Sequence, residues 1–438
     1  MPVSTDWMPR LRRFLLNWLI DNELAYGQYT FSPSGGASMR VNRRRALAAA
    51  GALLSTIALP GALRAQGKPI RIGSTLPLTG PLASLAIIHK VTAEIYVENL
   101  NKRGGLLGRP VEWVLRDDQS KPELTRTIYE QLITADKVDL IQSPYATANI
   151  LAAMGVAQRY NKVLLHTSFG IPKLAKYDMQ FQTGGVAFDP ENVWPNKIFD
   201  AVAQLPKPPK TIAIVTSKFP SVHHISGGAR EVLKKRGLQE VLHLEYEFGN
   251  RDFGPIASRI KDANPDFLWG GTNGIDPVLM LEAMKRIDYR PPAQVHLFPA
   301  PGPMLKIPEA QGSFALTNFE AHPPFTDDPA IAQFVQTYSE RAKEANIPYT
   351  AVDLQSAIMY AAWQVLEAAV TATKGTDDKA IAAWLKKNEV KTLFGPLRWN
   401  GPQNYVEGSD LYKIKQLQQG RWVVVHPKEW TAPGAKIV

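Results

Sequence analysis

Short strand-like runs alternate with helix-length segments along most of this chain, and this alternation restricts the fold more than any other sequence feature. A first set contains four runs rich in apolar and β-branched residues, at positions 70–74, 111–116, 138–142 and 163–166. Helical patterns follow the first three of them, at positions 84–102, 122–134 and 148–159. Strands that alternate with helices of this length predict an α/β domain with a parallel sheet covered on both faces.

A second set of the same kind follows a proline-rich stretch at positions 205–210. Its strand-like runs are 211–215, 243–248, 266–271 and 295–300, and its helical patterns are 221–235, 253–262 and 276–287. A chain of 438 residues is also too long for one ordinary hydrophobic core. The sequence therefore predicts two similar α/β lobes.

The last part of the chain has a different pattern, with helical segments at 329–345, 352–373 and 378–387. Two strand-like runs, 412–417 and 421–425, then predict a β-hairpin that turns near Gly420. We expect the late helices to pack on the first lobe and the hairpin to cross back to the second. The predicted division gives residues 67–187 and 299–400 to lobe 1, and residues 188–298 and 401–438 to lobe 2.

The stretch GSTLPLTGPLA, residues 73–83, directly follows the first predicted strand and lacks the spacing of a phosphate-binding loop. Parallel sheets bind ligands at the carboxyl ends of their strands, so two joined lobes would form one cleft between their facing edges. Gly80, Pro81 and Leu82 are therefore candidate cleft residues. A simple turn before the following helix is the alternative role for Gly80 and Pro81.

Composition excludes several function classes. The chain contains no cysteine, which excludes disulfides, thiolate zinc sites, iron–sulfur clusters and cysteine nucleophiles. The formal net charge is +10, but eight basic and only three acidic residues precede Gln66. The remaining 42 basic and 37 acidic residues are spread without long runs, so we expect no nucleic-acid partner.

An export signal is predicted at residues 39–65. Arginines at 40 and 43–45 precede the uncharged stretch 46–63, and the small residue Ala65 follows it. The stretch is rich in alanine and glycine and is broken by Pro60, so it is a poor permanent membrane span.

The triple arginine in NRRRALA is similar to a twin-arginine export signal. Residues 1–38 are unusual upstream of such a signal, and our hypothesis is that translation starts at Met39. The predicted location of the mature protein is the periplasm.

From Lys68 onward the chain resembles the extracytoplasmic solute-binding proteins of ABC transporters, in the branched-chain amino acid-binding family. The resemblance rests on the order and spacing of several segments, which are IRIGSTLPLTGPLA, NKRGGLLGRPVEWVLRDDQSKPE, LIQSPYATANILAAMGVAQRYNKVLLHTS, KTIAIV, DFLWGG, FGPLRWN and VVVHPKEW. It implies the type I periplasmic-binding fold, with two doubly wound parallel-sheet lobes joined by a three-crossing hinge. It also implies a receptor that closes on a solute and then docks on membrane permease subunits, without chemistry.

The resemblance also implies binding residues. In this family, main-chain N–H groups and small hydroxyls at helix N-termini hold the solute carboxylate. The matching loop here supplies Tyr145, Ala146 and Thr147, with Ala146 where serine is common, and the loop after the next strand supplies Ser168, Phe169 and Gly170. Asp276 matches the position that often contacts the solute ammonium group.

Structural roles are the alternatives for these residues, because Thr147 and Asp276 are also suitable helix caps and Tyr145 a packed aromatic. The paired carboxylates after Arg116 match a structural strand end in the family, and the adjacent His223 and His224 are a weak metal signal. Core packing is favoured over ring stacking for three aromatic residues, namely Trp194, Trp269 and Phe188.

Enzymatic alternatives find little support in the motifs. The first strand is not followed by G-x-G-x-x-G, and neither G-x-S-x-G, H-E-x-x-H nor a Walker A sequence occurs. We therefore expect a monomeric receptor with no cofactor, no metal and no catalytic residue. The solute class stays open among branched-chain or other amino acids, amides and aromatic acids. A sensor of the same fold that serves a signalling partner is the second hypothesis, and a dinucleotide-dependent enzyme is the third.

Overall fold

A computed structural model describes residues 67–405 and 410–438 of the chain. The predicted export signal at 39–65, the upstream segment 1–38 and the predicted start at Met39 all lie outside these residues. Among the helices in the described ranges, none combines the length and the apolar character that a membrane span requires.

The first lobe is built on a five-stranded sheet in which all neighbouring strands are parallel. Its strands are β1 (Ile70–Leu76), β2 (Val111–Asp117), β3 (Leu140–Gln142), β4 (Leu164–His166) and β5 (Gln180–Gln182), in the order β2-β1-β3-β4-β5. Helices α1 (Ala83–Lys102), α2 (Pro122–Thr134) and α3 (Thr147–Tyr160) connect them. Local sequence fixes the helix ends: α2 starts on a proline, and α3 is followed by Asn161, which is in the left-handed conformation with φ of 52°.

The second lobe contains a seven-stranded sheet. Its parallel part comprises β6 (Thr211–Ser217), β7 (Gln239–Tyr246), β8 (Phe267–Gly274), β9 (Ala293–Pro299) and β10 (Phe314–Thr317). Five helices belong to this part of the chain: α4 (Pro190–Val202), α5 (Pro220–Lys235), α6 (Gly254–Ala263), α7 (Asp276–Arg286) and the short α8 (Pro301–Leu305). Strand β6 is buried from Ile212 to Ser217, as expected for a parallel strand covered on both faces.

The late helices return to the first lobe, as the sequence predicts. They are α9 (Pro329–Glu344), α10 (Leu354–Thr373) and α11 (Asp378–Leu385), and the side chains of Asp328, Asp353 and Asp377 cap their N-termini. The Tyr96 hydroxyl of α1 donates to Glu367 of α10 at 2.6 Å.

After a small hairpin of β11 (Val390–Thr392) and β12 (Gly395–Leu397), the chain crosses again to the second sheet. The predicted final hairpin is confirmed: β13 (Lys413–Gln418) and β14 (Arg421–His426) are antiparallel. They give the second sheet the order β14-β13-β10-β9-β8-β6-β7.

One predicted boundary between the lobes is displaced. The sequence division gives residues 299–400 to lobe 1, whereas strand β10 pairs with β9 and β13 in the second sheet. The crossing to lobe 1 therefore lies after Thr317 rather than after residue 298. Strand β10 has the sequence FALT, whose single β-branched residue is a weak strand signal.

Three chain segments connect the lobes, which confirms the predicted hinge. The Nδ2 atom of Asn318, in the second crossing, donates to the carbonyl oxygen of Gly184 in the first at 3.0 Å. The backbone N–H of Leu411, in the third crossing, donates to the carbonyl of Gly185 at 3.1 Å. Residues 406–409 of this third crossing lie outside the described ranges. The hydrogen bonds join all three crossings into one hinge region.

Candidate functional site

A cavity of about 440 Å³, counting the space at its mouth, lies between the two lobes. Both lobes and the hinge contribute to its lining, which consists of Tyr145, Ala146, Ser168, Phe169, Gly170, Val186, Trp194, Phe219, Ser221, Asn273, Phe298, Leu354, Gln355, Ile358 and Tyr412.

The first wall comes from the carboxyl edge of the first sheet. Ala146 precedes α3 and has φ of 82° and ψ of 143°, a conformation that is strained for a residue with a Cβ atom. Its N–H donates to the Ser168 hydroxyl at 3.0 Å, and the N–H of Gly170 donates to Thr147 Oγ1 at 3.0 Å. These two bonds lock the loop before α3 to the loop after β4.

The second wall comes from the second lobe. Phe219 and Ser221 lie at the N-terminus of α5, while Asn273 and Phe298 lie near the carboxyl ends of β8 and β9. The lobes touch closely here, because an ideal Cβ atom built on Gly170 would lie 2.5 Å from the Ser221 Cβ atom. This close contact describes a closed arrangement of the two lobes.

Helix α10 supplies a third wall through Leu354, Gln355 and Ile358. The Gln355 Oε1 atom lies 2.9 Å from the buried Nε2 atom of His89. Burial lowers the pKa of His89 to about 4, so the imidazole is neutral at pH 7. The His89 ring also packs on Tyr145, with 4.7 Å between ring centroids. His89 therefore orients two residues of the cavity lining without lining it.

The hinge side of the cavity is aromatic. The rings of Trp194 and Tyr412 are tilted with their centroids 4.5 Å apart, and Trp194 meets Phe298 edge-on at 5.9 Å. The Trp194 indole N–H donates to Asp410 at 2.9 Å. Because the indole N–H is already bonded to Asp410, Trp194 contributes apolar ring surface to the cavity lining.

The structure brings five of the predicted site residues together in the cavity lining: Tyr145, Ala146, Ser168, Phe169 and Gly170. Thr147 lies directly behind this set, since its hydroxyl accepts the N–H of Gly170.

The remaining predicted residues do not line the cavity. Gly80, with φ of 88°, makes a turn against the backbone of Gln119, and Leu82 is buried at the start of α1. Pro81 lies at the edge of the same cleft, because its carbonyl oxygen is 3.8 Å from an ideal Cβ atom on Gly274 of the other lobe.

Asp276 also lies outside the cavity lining. It is buried in the first turn of α7, and its Oδ2 atom accepts the Tyr246 hydroxyl at 2.8 Å. Burial is the main cause that raises the pKa of Asp276 to about 6. The structure therefore gives this carboxyl a partner within its own lobe.

Sequence reasoning missed the part of the lining that comes from the second lobe, the hinge and α10. The sequence favours core packing over ring stacking for Trp194, which is 1% exposed and also lines the cavity. For Phe219 and Ser221 the available signal is their position just after the predicted strand at 211–215. Asn273 closely follows the predicted strand at 266–271, which is an equivalent signal.

Within the described ranges, no group of three or more His, Asp or Glu side chains is placed to hold a metal ion. His223 and His224 instead lie near Glu245 and Glu191, at 2.9 and 3.3 Å. The lining polar side chains are two serines, one asparagine, one glutamine and two tyrosines. This set is suited to hydrogen bonding with a solute.

Comparisons with known proteins agree with this geometry. A family model described as periplasmic binding protein matches residues 69–416. The Leu/Ile/Val-binding protein of Citrobacter freundii is 23% identical over 361 residues, which cover 80% of this chain and 91% of that protein.

Two solved structures share the fold at low identity. The substrate-binding protein LivJ of a branched-chain amino acid transporter from Streptococcus pneumoniae, in complex with isoleucine, has a TM-score of 0.68 and 17% identity, covering 82% of this chain and 100% of that one. A solute-binding protein of an ABC transporter from R. palustris, in complex with benzoate, has a TM-score of 0.68 and 17% identity, covering 84% and 99%. With a family model matched over most of its length, this chain belongs to the periplasmic binding protein family.

Proposed function

We propose that the protein is the extracytoplasmic solute-binding receptor of an ABC importer. It captures a small solute in the cavity between its lobes and delivers it to the membrane permease subunits. The observation that carries this proposal is the cavity itself, which is lined by both lobes and the hinge and closed by the contact between Gly170 and Ser221. A site shared by two hinged lobes couples solute binding to lobe closure.

The lining supports binding rather than catalysis. Ser168 and Ser221 are the two serines of the cavity lining, and a serine hydroxyl can act as a nucleophile. Neither hydroxyl forms a hydrogen bond with a histidine among the described side chains. Two buried imidazoles adjoin lining residues, but His89 contacts Gln355 and His166 contacts Gln180 instead. A serine without a general base is a weak nucleophile, so the proposed protein binds its solute without altering it.

Related proteins support a transport role and leave the solute class open. The Citrobacter freundii relative is a Leu/Ile/Val-binding protein, and the two solved structures hold isoleucine and benzoate. Amino acids, amides and aromatic acids are therefore the classes to test. We further propose a periplasmic location, an export signal at residues 39–65 of the twin-arginine type, and a monomeric receptor.

The test of this function begins with thermal unfolding of the purified protein against representatives of the three solute classes. A solute present at roughly 100 times its dissociation constant adds about 2.7 kcal/mol to the free energy of unfolding. We expect one class to raise the melting temperature, and calorimetry to give binding without turnover of the solute. No shift with any class, or chemical conversion of a bound solute, would contradict the proposal.

The same preparation separates a transport receptor from a sensor. A transport receptor stimulates ATP hydrolysis by its cognate permease complex in proteoliposomes when the solute is present. Solute binding without stimulation of any permease encoded near the receptor would favour the sensor function.

A further inference from the structure

The wall of the cavity nearest the hinge is made of aromatic rings. Trp194 of α4 packs against Tyr412, which directly precedes β13, and against Phe298 of β9. All three residues line the cavity. An indole is flat, so a rotation of the Trp194 side chain would change the shape of the space that a solute occupies. The groups that fix the orientation of this ring therefore influence solute affinity.

Asp410, in the third crossing, holds the indole of Trp194. Its Oδ1 atom accepts the indole N–H at 2.9 Å. The next residue, Leu411, donates its N–H to the carbonyl of Gly185 in the first crossing, so Asp410 lies within the hinge region. The indole N–H is the one polar group of a tryptophan side chain, and a charged acceptor makes a hydrogen bond about twice as strong as a neutral one. This bond therefore favours one orientation of the ring.

Lys197 holds the carboxylate of Asp410 from the other side. Its Nζ atom donates to Asp410 Oδ2 and, at 2.8 Å, to the carbonyl oxygen of Tyr412. The Asp410 side chain is almost fully buried, which raises the pKa of the carboxyl, whereas the ammonium of Lys197 lowers it. Trp194 and Lys197 are three residues apart on α4 and are therefore neighbours on its surface. Helix α4 thus grips the third crossing through both oxygens of one carboxylate.

Asp378 of the first lobe shows what a purely structural carboxylate looks like. One of its oxygens pairs with Lys162 in a well-buried ion pair, and the other accepts the backbone N–H of Val163. None of these three residues lines the cavity. Asp410 is bonded in the same two-sided way, but its second oxygen holds Trp194, which does line the cavity. The difference between the two carboxylates is the contact with the site.

Resting on the proposed receptor function, we propose that Asp410 is a positioning residue that fixes the indole of Trp194 in the cavity wall and links this wall to the third hinge segment. Trp194 contacts the solute, and Asp410 acts on solute binding through Trp194. A solute that packs on the indole therefore bears on a residue of the hinge itself, which couples solute binding to lobe closure.

The indole N–H of Trp194 reports the positioning bond without any solute. In NMR spectra of protein labelled with ¹⁵N at its tryptophan indoles, the resonance that disappears in Trp194→Phe belongs to Trp194. We expect Asp410→Asn to shift this resonance and to speed its exchange with solvent roughly 10-fold, because a neutral amide is the weaker acceptor. Asp200→Asn changes an exposed acid of the same helix, paired with Arg236, and should leave the resonance in place. An unchanged resonance in Asp410→Asn would refute the positioning role.

A double-mutant cycle tests the effect on binding by calorimetry. The probes are L-isoleucine and benzoate, the compounds held in the two related structures. We expect Asp410→Asn to weaken probe binding roughly 10-fold in the wild-type background but less than about 3-fold in Trp194→Phe, since residues that act through one contact are not additive. Asp378→Asn breaks the comparable ion pair of the first lobe and is expected to lower the melting temperature without changing affinity. Equal losses of affinity in the two backgrounds would overturn the proposal.

Further variants keep the outcomes distinct. If Asp410→Asn fails to fold because Lys197 is left without its partner, the double variant Asp410→Asn/Lys197→Met removes both charges, and the same NMR and affinity criteria apply. If neither probe binds the wild type, the cycle is run with the compound that gives the largest thermal shift. A wild-type protein that binds no compound in the thermal screen would count against the receptor function, whereas the NMR criterion would still decide whether Asp410 orients Trp194.

Discussion

Gly170 lines the cavity and also contacts Ser221 of the opposite lobe. An alanine Cβ atom here would lie 2.5 Å from the Ser221 Cβ atom of the opposite lobe, which no relaxed structure permits. We predict that Gly170→Ala holds the lobes apart and weakens solute affinity at least tenfold, as measured by calorimetry.

Gly155→Ala is the matched control, because Gly155 is exposed within α3 and a Cβ atom added to it would meet no other atom within 4 Å. Alanine is favoured over glycine by about 1 kcal/mol in a helix interior, so this variant keeps its affinity and gains stability. Wild-type affinity in Gly170→Ala would show that the contact with Ser221 is not required for binding.

His166 illustrates how a buried imidazole links stability to pH. It contacts Gln180, and burial lowers its pKa to about 4, below the value of about 6.5 in an unfolded chain. The folded protein thus binds fewer protons between these pH values, so the contribution of His166 is complete above pH 6.5 and declines as the pH falls towards 4.

Between pH 7.5 and pH 5 this contribution falls by about 2 kcal/mol. We predict that His166→Gln, which keeps an amide near the Nε2 position, loses less stability than the wild type over this range in urea titrations. The raised pKa of Asp276 has the opposite effect, because it makes the folded protein more stable as the pH falls. Asp276 is present in both proteins, so its contribution cancels when the variant is compared with the wild type. Parallel pH profiles would contradict the prediction.

At the residue scale, the family resemblance implies Tyr145 and Ser168 as binding residues, and both line the cavity. Gln355 is missed, and ring stacking by Trp194 is ranked below core packing, because both residues reach the cavity from helices that follow a crossing of the hinge. Such contacts depend on lobe packing and leave no local pattern in the sequence.

Among the elements, β13, the second crossing and α10 are held together by a buried charge cluster. The Lys415 Nζ atom lies 2.7 Å from Glu320 and 4.0 Å from Asp353, and all three side chains are almost fully buried. Asp353 also caps α10, whose first residues line the cavity. The cluster therefore fixes one wall of the site to the hinge.

Removal of the cation leaves two buried carboxyls without a counter-charge, and breaking a buried pair in this way costs about 3–5 kcal/mol. We predict a loss of this size in the free energy of unfolding of Lys415→Met, measured with urea. Lys391→Met, at an exposed strand position, is the control. The double variant Lys415→Met/Glu320→Gln is expected to recover part of the lost free energy of unfolding, because it removes one of the two buried carboxyls. A urea unfolding curve of Lys415→Met identical to that of Lys391→Met would refute the prediction.

The longer elements are predictable from the sequence, as β1 shows: residues 70–74 are expected and Ile70–Leu76 is observed. Strand β5 (QFQ) is missed because two of its three residues are polar, and strand β10 (FALT) because it contains a single β-branched residue. The equally short strands β3 and β4 lie in more aliphatic runs and are predicted. Helix α4 is missed because it contains an internal proline, Pro195, which normally argues against a helix.

At the scale of the molecule, the two lobes are in a closed arrangement, with a lobe-to-lobe contact at Gly170 and an ion pair between Lys173 of lobe 1 and Glu191 of lobe 2. Surface ion pairs of this kind contribute about 0–1 kcal/mol, which is too little to keep the lobes closed alone. We therefore expect the solute-free protein to open about its three hinge segments, with the solute supplying the free energy of closure.

Small-angle X-ray scattering with and without bound solute tests this central claim most directly. We predict that the solute giving the largest thermal shift lowers the radius of gyration of the purified protein, while Gly170→Ala stays expanded under the same conditions. Identical scattering of the free and saturated protein, with binding verified by calorimetry in the same sample, would contradict it.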